Sequence, residues 1–465
     1  MKRILIGAVA AFGWLGCAHF NDQPLSAEKV RADFESRSLA DAGLNAFLAT
    51  NLPAESASPA AWNFNRLTLV AYYFNPDLDV ARAQLVGANA AKLTAGARPN
   101  PTVGVNAAYN TTTTIPSPWI VTPSLDLPIE TMGKRGYRLA QSAHLSEAAR
   151  CALASAAWHV RSEVRKNLLA LYAAGENAAL LQQQESAQAE SVRLLEGQLR
   201  AGTISPYEIT QARVALNQTR FALHDAESQS ATTRIQLAET LGLPSTALDG
   251  VNFDFDEFKQ FPADVPDAVA RRQALVSRAD ILGALAEYAA TQSALQLEIA
   301  KQYPDLHLNP GYEFDQSDNK WGLGLSLELP MLNHNQGPIA EAEARRAESA
   351  AKFNALQARV LSEIEQTVAG YRAAAKKAEA AGTLNHELAG QRRAAQALLD
   401  VGEISRLELA QRQLELTTAA LMQLAALVSA QAALGDLEDA MQSPGAAPAA
   451  ENTPTKNSSA KINQP

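Results

Sequence analysis

Apolar side chains recur along the middle of this chain with the spacing of a very long helix. No proline occurs between Arg135 and Ser205, and apolar positions are separated mostly by three, four or seven residues: Val160, Val164, Leu168, Leu171, Ala178, Ala189, Val192, Leu195 and Leu199. So narrow a stripe is typical of a coiled-coil seam. At about 1.5 Å per residue, the segment predicts a rod of roughly 100 Å, which no ordinary globular core requires.

A turn at residues 201–206 ends this helix and begins a second one. Gly202 suits the left-handed residue that stops a helix, Ser205 is a good N-cap, and Pro206 fits the first helical position. Glu208 is placed to complete a capping box. The seam then resumes at Ile209, Ala212, Leu216, Thr219 and Leu223. We therefore predict a helical hairpin over about residues 135–241.

The hairpin occurs a second time, with its turn near residue 400. Four residues of the first turn have counterparts here, namely Gly402, Ile404, Ser405 and Glu408. The predicted seam of the second hairpin comprises Phe353, Leu356, Val360, Ile364 and Tyr371 before the turn and Ala410, Leu414, Leu421, Leu424 and Val428 after it. A period near 200 residues is too long for a solenoid repeat, so the sequence indicates a duplicated half-molecule.

Each half also contains two segments in which apolar and polar residues alternate, as a half-buried strand requires. The first pair is predicted at about 101–110 and 119–129, and the second at about 304–314 and 320–331, with residues 315–319 as a polar loop. Four strands are too few to close a barrel, and an open sheet edge cannot face lipid. If these strands cross a membrane, several chains must contribute them.

The predicted fold class is therefore mainly α with a small β part. The first repeat spans residues 64–242 and the second 267–441, with its long hairpin at about 336–441. Residues 18–63 form an N-terminal segment that we expect in the periplasm, residues 243–266 an acidic linker, and residues 442–465 a polar tail predicted to be disordered.

The N-terminus resembles a targeting signal. Lys2 and Arg3 precede a short apolar stretch that ends at Cys17. The stretch is too short to span a bilayer, and the small residue before Cys17 is similar to a bacterial lipoprotein cleavage site. We expect residues 1–17 to act as a signal and Cys17 to be acylated; ordinary secretion is the alternative. Cys151 would then be the one remaining cysteine, so no intrachain disulfide could form.

Composition and charge narrow the function classes. The chain is 47% hydrophobic but only 6% aromatic, which fits long helices that meet through small side chains. A formal charge of −9 argues against nucleic acid as a partner. No two histidines have metal-ligand spacing, and His334 is expected to be a loop residue. The sequence contains no nucleophile elbow or phosphate-binding glycine loop, so we expect no enzyme, cofactor or metal site.

Several local motifs, in their order and duplication, resemble the TolC family of outer-membrane channel proteins. They are Asn75-Pro76-Asp77-Leu78, Ala97-Arg98-Pro99, Leu127-Pro128, Leu329-Pro330-Met331-Leu332-Asn333, Asn335-Gln336-Gly337 and the two turns. The stretch from Leu329 to Gly337 is most similar to members that serve heavy-metal and cation efflux pumps. The resemblance covers about residues 64–439. It implies a homotrimer in the outer membrane of a Gram-negative bacterium, with a shared β-barrel in lipid and a tunnel of helical hairpins in the periplasm.

The same resemblance implies partners and site residues. The partners are a periplasmic adaptor protein and an inner-membrane transporter of the RND type. The expected adaptor contacts are the turn residues Gly202, Ile204, Ser205, Gly402, Ile404 and Ser405. Acidic residues at the second turn, namely Glu408 with Glu403 and Asp400, are candidates for an anionic gate that favours cations. In the alternative interpretation, Glu408 is a solvated first-turn carboxylate favoured by the helix dipole.

Three functions fit these observations. We favour the exit duct of a tripartite efflux pump that conducts metal cations or small toxic compounds passively. A duct for type I protein secretion would have the same fold. A non-channel periplasmic coiled-coil lipoprotein would not explain two strand pairs that recur at the same offset.

Overall fold

The computed structural model describes residues 20–52, 61–112, 117–262 and 268–443. In these segments the chain is mainly helical with one small sheet. The helices are α1 (Ala27–Glu35), α2 (Ala42–Asn51), α3 (Phe64–Phe74), α4 (Pro76–Gly96), α5 (Lys134–Arg200), α6 (Pro206–Leu241), α7 (Ala268–Ser277), α8 (Ala279–Ala300), α9 (Gln336–Asp400) and α10 (Arg406–Met441). The strands are β1 (Thr102–Tyr109), β2 (Trp119–Ile129), β3 (Leu306–Asp315) and β4 (Asp318–Leu327).

Two long helices, α5 with 67 residues and α9 with 65, set the length of the molecule. Each turns back into a helix of 36 residues, so the returning helix covers only the half of its partner that lies nearer the turn. The other half of α5 packs against α4 and α8 instead. The hairpins and the sheet therefore lie at opposite ends of one rod.

The four strands form a single antiparallel sheet in the order β1-β2-β3-β4. Strands β3 and β4 are joined by Gln316 and Ser317 alone, with φ angles of 47° and 99°. Positive φ at both central residues is the geometry of a type I′ hairpin turn, which matches the twist of the flanking strands. The prediction of a five-residue polar loop here was wrong, because Asp315, Asp318 and Asn319 belong to the strands.

Strand β4 is also shorter than predicted. It ends at Leu327, opposite Leu306, the first residue of β3. Beyond that pair β3 offers no backbone partner, so Leu329 and Met331 lie outside the strand and are exposed. The prediction extended the strand too far because Leu329 and Met331 continue the two-residue spacing of Leu323, Leu325 and Leu327.

The main hydrophobic core lies midway along the rod. There α3 packs against α5 and α6, and the segment after Gly242 closes over them with Phe258 fully buried. Gly242 has a φ of 72°, and a Cβ at this position would lie 2.3 Å from the carbonyl oxygen of Phe74. Both constraints require glycine. The segment predicted as an acidic linker is thus part of the core up to residue 262.

Part of the predicted seam of α10 has a contact that the sequence did not predict. Leu424 and Val428 pack against the core cluster of the first half. The face of α10 toward α9 carries smaller residues, including Ala426 and Ala430. Having two apolar faces makes α10 the one helix in the described part of the chain that is long and apolar enough to cross a membrane. Its place in a hairpin explains the composition equally well.

Candidate functional site: an open amphipathic sheet joined to two helical hairpins

The sheet has one apolar face and one polar face. The apolar face follows from the register of the three strand pairs and consists of Val103, Val105, Ala107 and Tyr109 in β1, alternate residues from Trp119 to Ile129 in β2, Leu306, Leu308, Pro310, Tyr312 and Phe314 in β3, and Trp321, Leu323, Leu325 and Leu327 in β4. No other described element covers this face: Trp321 is 82% exposed and Leu323 72%. An apolar patch so continuous is a surface for lipid or another protein.

The opposite face carries small and polar residues. They include Asn106, Thr122, Ser124, Asp126, His307, Glu313 and Lys320. His307 Nδ1 lies 3.0 Å from both carboxylate oxygens of Asp126, and Lys320 Nζ donates to Asp315 at 2.5 Å and Glu313 at 3.3 Å. Alternation of an apolar outer face with a polar inner face is the pattern of a transmembrane barrel around water.

Aromatic residues cluster at the end of the sheet that is distant from the helices. Tyr109 packs edge-on against Trp119 with ring centroids 5.1 Å apart, and Tyr312 packs on Trp321 at 4.8 Å. Tyr and Trp are enriched where a membrane meets water, since their rings are apolar and their polar atoms stay wet. This end of the sheet therefore has the chemistry of a membrane interface.

Both edges of the sheet, β1 and β4, lack a partner strand among the residues that the structure describes. Each presents a row of backbone N–H and C=O groups, and such an edge is a template for another strand. In lipid these groups must be paired, because no water is present to replace the hydrogen bonds. A single chain cannot satisfy this requirement.

A partly buried ionic junction ties the sheet to the long helix α5. Lys134 Nζ donates to the carbonyl of Tyr303 at 2.7 Å and to Asp305 at 2.8 Å. The backbone N–H of Thr131 donates to the same carboxylate at 2.9 Å. Charge-assisted bonds of this kind fix direction as well as distance. They hold the start of α5 under the strands β2 and β3.

The two hairpin turns have nearly the same structure. Gly202 and Gly402 have φ angles of 76° and 83°. The N–H of Gly202 donates to Leu199 O and that of Thr203 to Gln198 O, which is the hydrogen-bond pattern of a Schellman motif. The N–H groups of Gly402 and Glu403 make the equivalent bonds. The turn chemistry expected from the sequence is thus present in both turns.

The six predicted adaptor-contact residues share these two tips. Ile204 and Ile404 are half-buried, whereas the glycines and serines are exposed. Ser205 caps α6 together with Glu208, and Ser405 Oγ accepts the N–H of Glu408 at 3.2 Å. The tips differ beside these residues, where Thr203, Pro206 and Tyr207 are replaced by Glu403, Arg406 and Leu407.

The three gate candidates are all exposed at the second tip. Asp400 accepts a hydrogen bond from Gln396 at 3.0 Å, and Glu408 lies in the first turn of α10 close to Arg412. Arg412 is itself paired with Glu415 at 2.9 Å. The tip is therefore acidic but contains arginines among its carboxylates, and the gate remains a prediction.

A buried polar cluster near mid-length was missed by the sequence analysis. Arg165 is 6% exposed and donates to the backbone oxygen of Gln431 at 2.8 Å and to its side-chain oxygen at 3.0 Å. Gln431 in turn donates to the carbonyls of Phe258 and Gln260. The cluster joins α5, α10 and the segment before residue 262. The only signal in the sequence was a glutamine and an arginine within otherwise apolar seams.

Carboxylates extend this cluster along α10. Glu438 pairs with Arg161 at 3.2 Å and with Arg165 at 3.7 Å, and Asp439 accepts hydrogen bonds from Ser162 and Trp158. Burial raises the pKa of Asp439 although these two hydrogen bonds act in the opposite direction. Burial likewise raises the pKa of Glu257, and the charge of Arg165 partly offsets the rise. The first and second halves of the chain are thus joined by desolvated charges.

The histidines and cysteines considered in the sequence do not form a metal-binding or catalytic cluster in the described residues. Within the described segments no group of three or more His, Cys, Asp or Glu residues could hold a metal ion. His334 is exposed in the turn before α9, and Cys151 is buried on α5. Cys17 and the expected signal lie outside the described residues, as do residues 444–465 of the tail.

Comparison with known proteins points to one family. Residues 72–243 match the family model described as outer membrane efflux protein. Over 231 residues the chain is 26% identical to the cobalt-zinc-cadmium resistance protein CzcC of Cupriavidus metallidurans, an alignment that covers 49% of this chain and 54% of that protein. The matched region thus spans about half the length of this curated relative.

Solved structures agree over most of the chain. The outer-membrane channel OprN aligns with a TM-score of 0.66 and 18% identity, covering 81% of this chain and 89% of that one. CusC aligns at 0.63 and 19%, covering 81% and 91%, and the open state of the Neisseria gonorrhoeae MtrE channel at 0.67 and 15%, covering 82% and 89%. At these identities the likeness establishes the fold. The resemblance to the TolC family is therefore confirmed: the chain has the fold of these outer-membrane channels, and its residues 72–243 match the outer membrane efflux protein family.

Proposed function

We propose that this protein is the outer-membrane exit duct of a tripartite efflux pump. The observation that carries the proposal is the open sheet, apolar on one face and polar on the other, whose two edges have no partner within the described segments. Such a sheet is stable in lipid only when copies of the chain close it into a barrel around a polar lumen. The duct performs no reaction, because passive conduction needs no catalytic group.

The assembly is a homotrimer in the outer membrane of a Gram-negative bacterium. Four strands per chain are too few for a barrel, and a symmetric ring of identical chains pairs every β1 edge with a β4 edge. The helical rods, roughly 100 Å long by their residue number, continue the lumen into the periplasm. Acylation of Cys17 would anchor each chain in the same membrane, and incorporation of labelled fatty acid that is lost in Cys17→Ala tests this.

The partners are a periplasmic adaptor and an inner-membrane transporter of the RND type. The tip residues Gly202, Ile204, Ser205, Gly402, Ile404 and Ser405 would contact the adaptor; the glycines and serines are exposed and the two isoleucines are half-buried. Asp400, Glu403 and Glu408 would line the entrance as an anionic gate.

Metal cations are the proposed cargo, with small toxic compounds as the broader class. The similarity to a cobalt-zinc-cadmium resistance protein supports this choice, and acidic residues at the second tip and on the polar face of the sheet are compatible with cations. The protein conducts the cations and does not store them.

Growth on graded cobalt, zinc and cadmium after deletion of the gene tests the cargo. We expect the deletion strain to be more sensitive to at least one of these metals, with resistance restored by the intact gene. Purified protein should also give discrete conductance steps in planar bilayers. Unchanged metal tolerance together with loss of a secreted polypeptide would favour a type I secretion duct. Absence of conductance and of heat-sensitive trimers would contradict the channel itself.

A further inference from the structure

A histidine and a carboxylate meet on the polar face of the sheet, close to the end that joins the helices. His307 is the second residue of β3, and its Nδ1 lies 3.0 Å from both carboxylate oxygens of Asp126 in β2. Their side chains are 41% and 38% exposed, so both are open to the space that this face borders. In the proposed barrel that space is the lumen. An imidazole and a carboxylate are therefore placed together on the lumen wall.

The pair belongs to a row of polar side chains that crosses all four strands. In register, Thr102 of β1 lies opposite Asp126, and Ser326 of β4 lies opposite His307. Asn309, the next residue of β3 on this face, donates to Ser326 Oγ at 3.0 Å. Every strand thus contributes an oxygen or a nitrogen atom at this level. In a closed barrel of identical chains the row becomes a ring.

Other carboxylates of the sheet are paired with lysine. Toward the far end, Lys320 pairs with two of them, and at the helix end Lys134 pairs with Asp305. Asp126 instead pairs with His307. A protonated lysine has no lone pair to offer a metal cation, whereas neutral imidazole is the commonest metal ligand among side chains. The carboxylate of Asp126 therefore has a partner that can share a metal ion with it.

Glycines leave space in front of the pair. Gly311 and Gly322 are partners across β3 and β4 on the same face of the sheet. A Cβ at either position would meet nothing within 4 Å. A hydrated cation therefore has room to approach His307 from the polar side.

The distance between the two side chains suits a metal that prefers imidazole. Two ligand atoms about 2.1 Å from a tetrahedral zinc ion lie roughly 3.4 Å apart, so the 3.0 Å contact needs to open by only a few tenths of an ångström. Within the described residues no three His, Cys, Asp or Glu side chains could hold a metal ion, so water would fill the other positions. A cation with two protein ligands is held weakly enough to leave, as conduction requires.

We propose that His307 and Asp126 form a transient binding point on the lumen wall for divalent cations that favour imidazole, zinc among them. The inference rests on the proposed efflux duct and assigns residues to its cargo. Imidazole suits zinc and the later transition metals, whereas magnesium prefers oxygen ligands and keeps its water. The pair therefore distinguishes these metals from magnesium.

Block of single-channel current by zinc tests the proposal. Purified trimers in planar bilayers are titrated with zinc chloride, and each current is expressed relative to the metal-free current of the same variant. Zinc should reduce the wild-type current at concentrations at which magnesium has no effect. In His307→Asn the zinc concentration for half-block should rise about tenfold or more, since even residues that only orient a metal ligand change metal affinity by that factor. Asp126→Asn should act in the same direction.

His224 provides the matched control. Its Nδ1 lies 3.2 Å from the carboxylate of Glu227 on the exposed surface of α6, away from the sheet. The zinc response of His224→Asn should therefore equal that of the wild-type channel. An equal rise in the His307 and His224 variants, or conducting wild-type channels that zinc does not block, would overturn the binding point and leave the duct intact. Wild-type protein that does not conduct at all would contradict the proposed function instead.

A gain of affinity covers the case in which loss of His307 impairs assembly. In a Cys151→Ser background, Asp126→Cys places a thiol beside His307, and thiolate with imidazole is a good ligand pair for zinc. This variant should be blocked at lower zinc concentration than its Cys151→Ser parent. Thr122→Cys lies on the same face of β2, four residues away, and should respond as the parent does. Equal responses of the two cysteine variants would contradict the assignment to His307.

Discussion

The long helices α5 and α9 are products of one duplication, yet their surroundings differ. Helix α5 is covered on two sides by elements of its own chain, and its seam with α10 contains buried charges around Arg165 and Glu438. The equivalent side of α9 is exposed in the described chain, where Leu361 and Glu365 stand in place of Arg161 and Arg165. The comparison shows that equivalent positions of α5 and α9 carry different residues where their packing within the chain differs. The contact made within the chain holds desolvated charges, whereas the equivalent side of α9 is exposed in the described chain and carries a leucine and a carboxylate at the corresponding positions.

The largest expected effect is at the buried contact between α5 and α10. Arg165→Met would remove one of the two arginines that pair with the buried Glu438, leaving Arg161 in place. It would also remove the guanidinium that donates to Gln431. Breaking a buried ionic contact costs about 3–5 kcal/mol of unfolding free energy, which should appear as a lower midpoint in denaturant unfolding followed by circular dichroism. Lys166→Met on the same helix is the control: Lys166 is exposed, and a surface change is worth roughly 0.5 kcal/mol or less. Equal midpoints for the two variants would show that the buried charges between α5 and α10 do not stabilise the fold.

The sheet provides the next test, at one pair of neighbouring positions. Leu323→Arg places a cation on the apolar face, and the expected cost is about 2–4 kcal/mol per chain if that residue is near the bilayer midplane. Gly322→Arg places the same side chain on the polar face, where nothing lies within 4 Å of a Cβ. Heat-sensitive trimers in outer-membrane fractions should decline for the first variant and persist for the second. The reverse result would exchange the lipid and lumen faces.

Two carboxylates at mid-length should give opposite pH dependence. Burial raises the pKa of Asp439, so the folded state binds the proton of this carboxyl more tightly than the unfolded state does. The contribution of Asp439 to stability therefore falls as pH rises above 3.8, the ordinary pKa of the side chain. Burial also acts to raise the pKa of Asp280, but hydrogen bonds and the charge of Arg278 lower it overall, so its contribution is lost as pH falls through the folded pKa. Asp439→Asn and Asp280→Asn should therefore change the slope of unfolding free energy against pH in opposite directions. Slopes that change in the same direction would contradict these environments.

The smallest effect is expected at the tips. Glu208 and Glu408 each occupy the first turn of a returning helix, and replacing either by Ala removes a favourable interaction with the helix dipole worth about 0.3–1 kcal/mol. If Glu408 belongs to the gate, only Glu408→Ala should lower cation preference in single-channel recordings. Unchanged preference in that variant, with Glu208→Ala as the reference, would leave Glu408 as a helix-capping residue.

Much of this architecture follows from local patterns. The hairpins, their turns at Gly202 and Gly402 and the alternating strands depend on residues close together in sequence, and heptad spacing, φ preference and alternation are local signals. The β3–β4 turn escaped prediction because Gln316 and Ser317 adopt positive φ without glycine, which the tight connection of the two strands imposes. The end of β4 was also not predicted, because it depends on where the partner strand β3 begins and not on the residues of β4 itself.

The sequence by itself determined the duplication, the rods and the amphipathic strands of this protein, because each is written in the spacing of side chains along a single element. Only the tertiary structure decided that Leu424 and Val428 face the first half, that Arg165 and Gln431 meet in a buried cluster, and that α6 and α9 keep bare faces. Those facts depend on which elements lie side by side. Contacts between residues more than 200 positions apart leave no periodic trace, so they emerge only when the chain has folded.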